Sequence, residues 1–217
     1  MTDRTPLGLR MQRLHTALLC DALDKLGCRQ SFLGPDIRPL AVGTRIAGTA
    51  LPLRAEATLV AHDQPYDGLF AAFDLVRPGD VMVLVGPDEV SGLWGELLTI
   101  ALRARGGVGA VIAGMTRDVD QIVDLGFPVF AKGFSPLDSA GRQEIVESGQ
   151  PVRLGGVVVR PGDWIVGDAM GVVVVPHELA EAAVDAAESK EAGEVSVRDE
   201  LGTGADLRDV FDRYGVL

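Results

Sequence analysis

The chain has 217 residues, 47% hydrophobic and 24% charged, an ordinary globular composition that argues against extensive disorder and allows one large domain with a sizeable core. Its formal net charge of −11, from 31 acidic and 20 basic residues, argues against a nucleic-acid partner: the arginines are scattered and no aromatics interleave with them to stack bases. An anionic small molecule is not excluded, because such a ligand responds to its pocket rather than to the whole surface.

From the N-terminus, Leu14, Leu18, Ala22 and Leu26 share one helical face, so the spacing predicts a helix over 9–26 with Gly27 as its stop. The opening segment lacks the uninterrupted apolar core of a signal peptide, and no apolar run approaches the ~20 residues of a membrane span. Cys20 and Cys28 lie eight apart with no zinc spacing, which reads as free thiols in a reducing compartment. A cytoplasmic protein is expected. A strand is predicted over Thr44–Leu53, then a loop and helix over Thr58–Phe73. Arg77-Pro78-Gly79-Asp80 forms a turn, and the wholly apolar Val81–Val85 reads as a strand covered on both faces. A helix over Gly95–Arg105 should end at Gly106-Gly107, followed by a buried strand at Val108–Ala113 and a turn at 114–118. A short helix over Val119–Leu125 and a strand at Pro128–Ala131 complete a run of βαβ units.

Residues 133–155 are rich in polar residues and turn formers. β runs follow at 157–159, 164–168 and 171–176, and Arg160-Pro161-Gly162-Asp163 repeats the turn seen at Arg77–Asp80. From His177 the chain reads as an Ala- and Glu-rich helix to about Leu201, then a short tail. No linker is visible, so residues 1–217 are expected to form one domain.

Two pieces of the chain carry chemistry. Gly95-Glu96-Leu97-Leu98 opens a helix, where free backbone N–H groups and the helix dipole favour an anion. Arg117-Asp118 follows a buried strand, in the kind of turn where α/β proteins bind ligands. Both leave the same kind of strand end, so the two turns should be neighbours. A guanidinium beside such a helix end can bind a 2-oxo acid by its carboxylate and polarise its keto oxygen. Carboxylates at Glu96 and Asp118 can hold a hard cation directly or through water. Other residues are weaker candidates. His15, His62 and His177 are isolated and suit surface or capping roles; Asp21 suits a helix end, and Lys132 a snorkelling surface position.

The segment WGELLTIALRARGGVGAVIAGMTRD resembles the signature of the RraA-like family, whose lyases carry an acid, twenty intervening residues, then Arg-Asp. Here Glu96, residues 97–116 and Arg117-Asp118 fit that spacing. Further likeness lies at Cys20–Gly27, Gly43–Thr49, Pro78–Asp80, Pro128–Gly133 and Pro161–Pro176. The resemblance implies a layered α/β/β/α sandwich with a mixed central sheet, of the swivelling β/β/α type. It also implies a divalent-metal-dependent aldolase or decarboxylase acting on a small 2-oxo acid. Arg117 would then bind the substrate carboxylate and keto oxygen, with the backbone of Gly95, Glu96, Leu97 and Leu98 cradling the carboxylate. Asp118 would ligate the metal, magnesium first with manganese or cobalt as alternatives, and Glu96 would hold a metal-bound water. Glu194, with Glu188 and Glu191 as rivals, would reach the metal from a neighbouring subunit of a homotrimer or hexamer, placing the helix of about 177–201 at the interface. Three positions depart from the family pattern: Glu96 where Asp is commoner, Ala113 before Gly114, and Ala169-Met170 before Gly171. The alternative is a regulator that binds a ribonuclease without catalysis. A methyltransferase is discounted, because no glycine-rich nucleotide fingerprint follows the first strand.

Overall fold

The structure is a computed structural model that describes residues 6–59, 66–87 and 90–215. Two helices, α1 (Pro6–Arg13) and α2 (Thr16–Lys25), stand where the spacing predicts one. The break has a local cause. His15 is extended, at φ −77° and ψ 144°, and the buried Asp168 carboxylate accepts from Thr16 N–H at 2.9 Å and Thr16 Oγ1 at 2.8 Å. Asp168 thus serves as a distant cap for α2. Gly27, at φ 84°, ends the helix as expected.

Next come β1 (Arg38–Pro39), β2 (Ile46–Ala57), α3 (Asp67–Asp74), β3 (Asp80–Val85) and β4 (Gly92–Trp94). They lead to α4 (Glu96–Ala104), β5 (Gly109–Thr116), α5 (Val119–Asp124) and β6 (Val129–Phe134). Because β5 runs through Thr116, the expected turn at 114–118 contracts to Arg117-Asp118. The polar stretch contains β7 (Gln143–Ser148) and β8 (Val152–Leu154), followed by β9 (Val157–Val159), β10 (Trp164–Asp168) and β11 (Gly171–Val175). A 3-10 turn at His177–Leu179 leads into α6 (Ala180–Gly202), and α7 (Leu207–Tyr214) replaces the predicted tail. The side chain of Asp206 caps α7 by accepting from the N–H groups of Arg208 and Asp209.

The main sheet runs β1-β6-β5-β3-β2-β10-β11, with β4 beside β5 and β7 beside β2. Strands β2, β3, β5 and β6 are parallel, as the βαβ pattern predicts, while β10 and β11 run antiparallel. Ser31 and Leu33 hydrogen-bond to β11 on one edge, and β1 pairs with β6 on the other, so the segment between them nearly closes the sheet. Alternation along each strand then builds two faces. Val81 and Val83 point inward with Val111, Phe130, Ile165 and Val174. Met82 and Leu84 point outward against Phe73, Leu102 and Ile122 of α3, α4 and α5. Trp164, Val166 and Val173 of the antiparallel half pack against Leu19 and Leu23 of α2 and Ala183 and Val184 of α6. The result is the α/β/β/α layering expected from the sequence.

The two Arg-Pro-Gly-Asp turns share one geometry. Asp80 N–H and Asp163 N–H donate to the carbonyls of Arg77 and Arg160, both at 3.1 Å, and each carboxylate accepts from the arginine N–H at 2.8 Å. Gly79 (φ 94°) and Gly162 (φ 85°) take the left-handed conformation these turns require. Both turns dock on the same stretch of β2: Thr49 N–H donates to Gly79 O at 3.1 Å, and Ala50 N–H to Asp163 O at 2.7 Å.

The apolar face of α6 is covered within the chain. Ala183, Val184 and Ala187 join the cluster formed with α1 and α2, Lys190 pairs with Asp21, and Arg10 of α1 donates to Glu188 at 2.9 Å and 2.7 Å. No helix among the described residues is long and apolar enough to cross a membrane.

Candidate active site

A cleft of about 320 Å³ opens where β4 and β5 end and α4 begins. Backbone and buried side chains stitch its floor together. Arg117 N–H and Thr116 Oγ1 both donate to Trp94 O, at 2.9 and 3.1 Å. Trp94 Nε1 donates to Thr99 Oγ1 at 2.8 Å, and that hydroxyl donates to Gly95 O at 3.0 Å. The indole stacks on Phe73, with centroids 6.4 Å apart. The short β4, which sequence reasoning missed, thereby brings the first turn of α4 against the Arg-Asp turn.

The two predicted pieces meet as expected. Glu96 N–H donates to Asp118 Oδ2 at 3.2 Å, and a Cβ added at Gly95 would lie 2.6 Å from that oxygen. A side chain at this position would push the carboxylate out of its present place. Asp118 sits at φ 55°, the one non-glycine positive φ among the described residues. Such a conformation costs on the order of 1 kcal/mol and persists where surrounding structure enforces it. Gly95, Leu97, Leu98, Arg117 and Asp118 all line the cleft. Glu96 contributes its backbone N–H, but its half-buried side chain is not part of the lining.

A second carboxylate was invisible to motif reading. Arg117 Nη1 donates to Asp138 Oδ2 at 2.8 Å, and Nε faces Asp118 Oδ1 at 3.4 Å, so the guanidinium is held between two aspartates. Asp138 Oδ1 also accepts from Tyr66 Oη at 3.0 Å and Ala140 N–H at 2.9 Å. The bond from Ala140 N–H, against some burial, and those from Tyr66 and Arg117 hold the Asp138 carboxyl below the usual range. Burial and the bond to Asp138 push the Tyr66 phenol up. The hydrogen bond and charge of Asp118, with those of Asp138, keep Arg117 firmly protonated. The only sequence signal for Asp138 is its place in a polar turn, which hundreds of surface aspartates share.

The remaining candidates lie elsewhere. Glu194 belongs to α6, where it pairs with Arg198 at 3.0 Å and Lys190 at 3.7 Å, and it does not line the cleft. His15 occupies the N-cap position of α2 and His177 the 3-10 turn, while His62 falls outside the described residues. Lys132 lies on β6 and is half-buried. Both cysteines are free, and burial raises both thiols.

Among the described residues no group of three or more His, Cys, Asp or Glu side chains could enclose a metal ion. A site for a hard cation that keeps most of its waters needs less. One or two carboxylates suffice for magnesium, and Asp118, with a third of its side chain exposed at the cleft, could supply one.

The α/β/β/α fold is shared with a family that includes aldolases and ribonuclease inhibitors by name, as comparison with known proteins shows. The RraA-like family model, described as Aldolase/RraA, matches residues 16–174, and the chain belongs to that family. An uncharacterized Methanocaldococcus jannaschii protein is 40% identical over 123 residues, 56% of this chain and 58% of the relative. The chain thus spans little more than half that relative's length, and 32% of the Legionella pneumophila protein DlpA. A Halalkalibacterium halodurans protein bearing the provisional name 4-hydroxy-4-methyl-2-oxoglutarate aldolase is 30% identical, with 84% of this chain and 82% of that protein covered. The crystal structure of Streptomyces coelicolor RraAS2, described as an unusual member of the RNase ES inhibitor RraA protein family, superposes with a TM-score of 0.82. It is 31% identical, with 92% of this chain and all of that one covered.

Proposed function

We propose that this protein is a divalent-metal-dependent carbon–carbon lyase that cleaves 4-hydroxy-2-oxo acids to pyruvate, decarboxylates oxaloacetate, or does both. The observation that carries the reading is Arg117, held by two carboxylates in a cleft walled by the first turn of α4. In the aldol case the C3–C4 bond breaks and its electron pair stays on the pyruvyl fragment as an enolate. The 4-hydroxyl loses its proton as the other fragment leaves as a carbonyl compound, and C3 then takes a proton. Arg117 binds the substrate carboxylate and keto oxygen with a planar fork that lysine lacks. The N–H groups of Leu97 and Leu98, in the first turn of α4, face the same carboxylate. Asp118 would ligate the cation and Glu96 would reach it through water. Magnesium is the first choice, with manganese and cobalt as alternatives. When bound, such a cation supplies Lewis-acid stabilisation of the charge that develops on the keto oxygen.

The reading includes a cytoplasmic homotrimer or hexamer in which residues 1–217 act as one unit and Glu194 of a neighbouring subunit approaches the cation. Pyruvate release from 4-hydroxy-4-methyl-2-oxoglutarate and from oxaloacetate, measured with and without EDTA, tests it. Release should stop with chelator and return with magnesium or manganese; undiminished turnover in a verified metal-free preparation contradicts it. The likeness to RraAS2 supports one other reading, a ribonuclease regulator without catalysis. That reading predicts no turnover of any 2-oxo acid and stoichiometric inhibition of a ribonuclease.

A further inference from the structure

The cleft holds more apolar wall than a dicarboxylic substrate can use. Away from Arg117 it is lined by Leu69, Phe70, Leu93, Leu97 and Leu98. Among the described lining residues Arg117 is the sole Lys or Arg, set against two carboxylates, Asp118 and Asp138. Those carboxylates already engage its Nε and Nη1, at 3.4 and 2.8 Å. The nearby Arg142 lies outside the lining and donates to the carbonyl oxygen of Asp138 at 2.9 Å.

A 2-oxo acid with a carboxylate at its far end would carry that charge onto leucine and phenylalanine side chains, or beside Asp138. Desolvating a charge without a partner is costly. An alkyl end on the same wall instead gains about three- to fourfold in affinity for each buried methylene. The cleft of about 320 Å³ equals the liquid volume of about ten waters, so space remains beyond a pyruvyl group. The inner wall is formed by the buried Leu93 and the half-buried Leu69 and Leu98, where a far charge would lose its water, while Phe70 and Leu97, 61% and 76% exposed, stand at the mouth.

Resting on the aldolase reading above, we propose that the substrate is a monocarboxylic 4-hydroxy-2-oxo acid with an apolar substituent on C4. Oxaloacetate and 4-hydroxy-4-methyl-2-oxoglutarate, each ending in a second carboxylate, are then the poorer substrates.

Binding and cleavage are read separately, on the full-length protein with magnesium present. Calorimetry compares 2-oxoglutarate with 5-methyl-2-oxohexanoate, which replaces the far carboxylate by an isopropyl group with the same branching; neither carries a 4-hydroxyl. The apolar-ended acid should bind at least about tenfold more tightly, as a few well-buried carbons require. Equal or tighter binding of 2-oxoglutarate overturns the proposal. Leu97→Arg, at an exposed position, should reverse the order, and an unchanged order also overturns it. Pyruvate release is then compared for a 4-alkyl-4-hydroxy-2-oxo acid and 4-hydroxy-4-methyl-2-oxoglutarate. Preferred cleavage of the dicarboxylate sinks the proposal while the aldolase reading stands. Selective binding of the apolar acid with no cleavage of either compound sinks the aldolase reading while the ligand class stands. Failure of both oxo acids to bind sinks both.

Discussion

At the N-terminal ends of β3 and β10, Asp80 and Asp163 are 8% and 2% exposed, and both oxygens of each carboxylate are satisfied by the protein. Asp80 accepts from Arg77 N–H at 2.8 Å and Thr49 Oγ1 at 2.9 Å; Asp163 accepts from Arg160 N–H at 2.8 Å and His177 N–H at 3.1 Å. At the C-terminal end of β5, Asp118 keeps a third of its side chain exposed, and its contacts to Glu96 N–H and Arg117 Nε are long, at 3.2 and 3.4 Å. One end spends its carboxylates on closing turns. The other leaves lone pairs for something that is not protein. Buried and saturated aspartates hold a fold, whereas a half-open aspartate beside a fixed guanidinium is available for chemistry.

That contrast predicts a clean separation between variants that unfold the protein and variants that silence it. Arg117→Lys should lower turnover at least about a hundredfold, on the scale of a lost oxyanion donor, with thermal stability within about 0.5 kcal/mol of wild type. Steady-state kinetics and a melting curve check both halves; a near-wild-type rate would make the arginine structural. Asp163→Ala should do the reverse. It strands the N–H groups of Arg160 and His177 and should cost about 2–3 kcal/mol in denaturant unfolding, with KM unchanged in the folded fraction. Gly48→Ala attacks the same end by sterics, since its Cβ would lie 2.4 Å from Gly79 O and 2.6 Å from Val108 Cγ2. A loss of about 1–3 kcal/mol is expected.

Smaller effects sharpen the picture. Asp138→Asn keeps an acceptor for Ala140 N–H but removes the charge that holds Arg117, so kcat should fall about 2- to 5-fold, the worth of one half-exposed ion pair. The pH profile carries the signature. A carboxyl held below its usual range contributes only when ionised, so its support of Arg117 is lost as pH falls through the depressed value. Wild type should show an acid limb below the ordinary carboxylate range that is weaker in the Asn variant. Asp168 gives the smallest effect. Burial pushes its carboxyl up, but the bonds from Thr16 and Met170 N–H and the Thr16 hydroxyl outweigh this and hold it low. Its contribution to stability is present above the ordinary carboxylate range and lost on acidification, so Asp168→Asn should flatten acid unfolding without touching turnover at neutral pH.

Much of this was legible in the sequence because it rests on local rules. The parallel core announced itself through the apolar Val81–Val85 and Val108–Ala113, and the meeting of Gly95 with Arg117-Asp118 followed from both leaving the same kind of strand end. What escaped depends on contacts distant in sequence. The break between α1 and α2 is imposed by Asp168, 152 residues away. Strands β7 and β8 alternate too weakly to stand out, because β7 covers one edge of β2 with its other face half exposed. Asp138 reaches Arg117 across 21 residues that include α5 and β6, and no spacing rule encodes that. The packing of α6 on α2, far apart in sequence, likewise has no local signal.

The last of these pairings sets a timetable for synthesis. Arg10 of α1 and Glu188 of α6 are 178 residues apart. At about 5–20 residues per second, roughly 9–36 s separate the emergence of the two from the ribosome. During that interval Met11, Leu14, Leu18, Leu19 and Leu23, all buried in the finished molecule, have neither β11 nor α6 to cover them. The parallel half can condense from β2 to β6 meanwhile, but the apolar faces of α1 and α2 that meet α6 and β11 must wait. It is therefore the segment that a nascent-chain chaperone would be expected to hold.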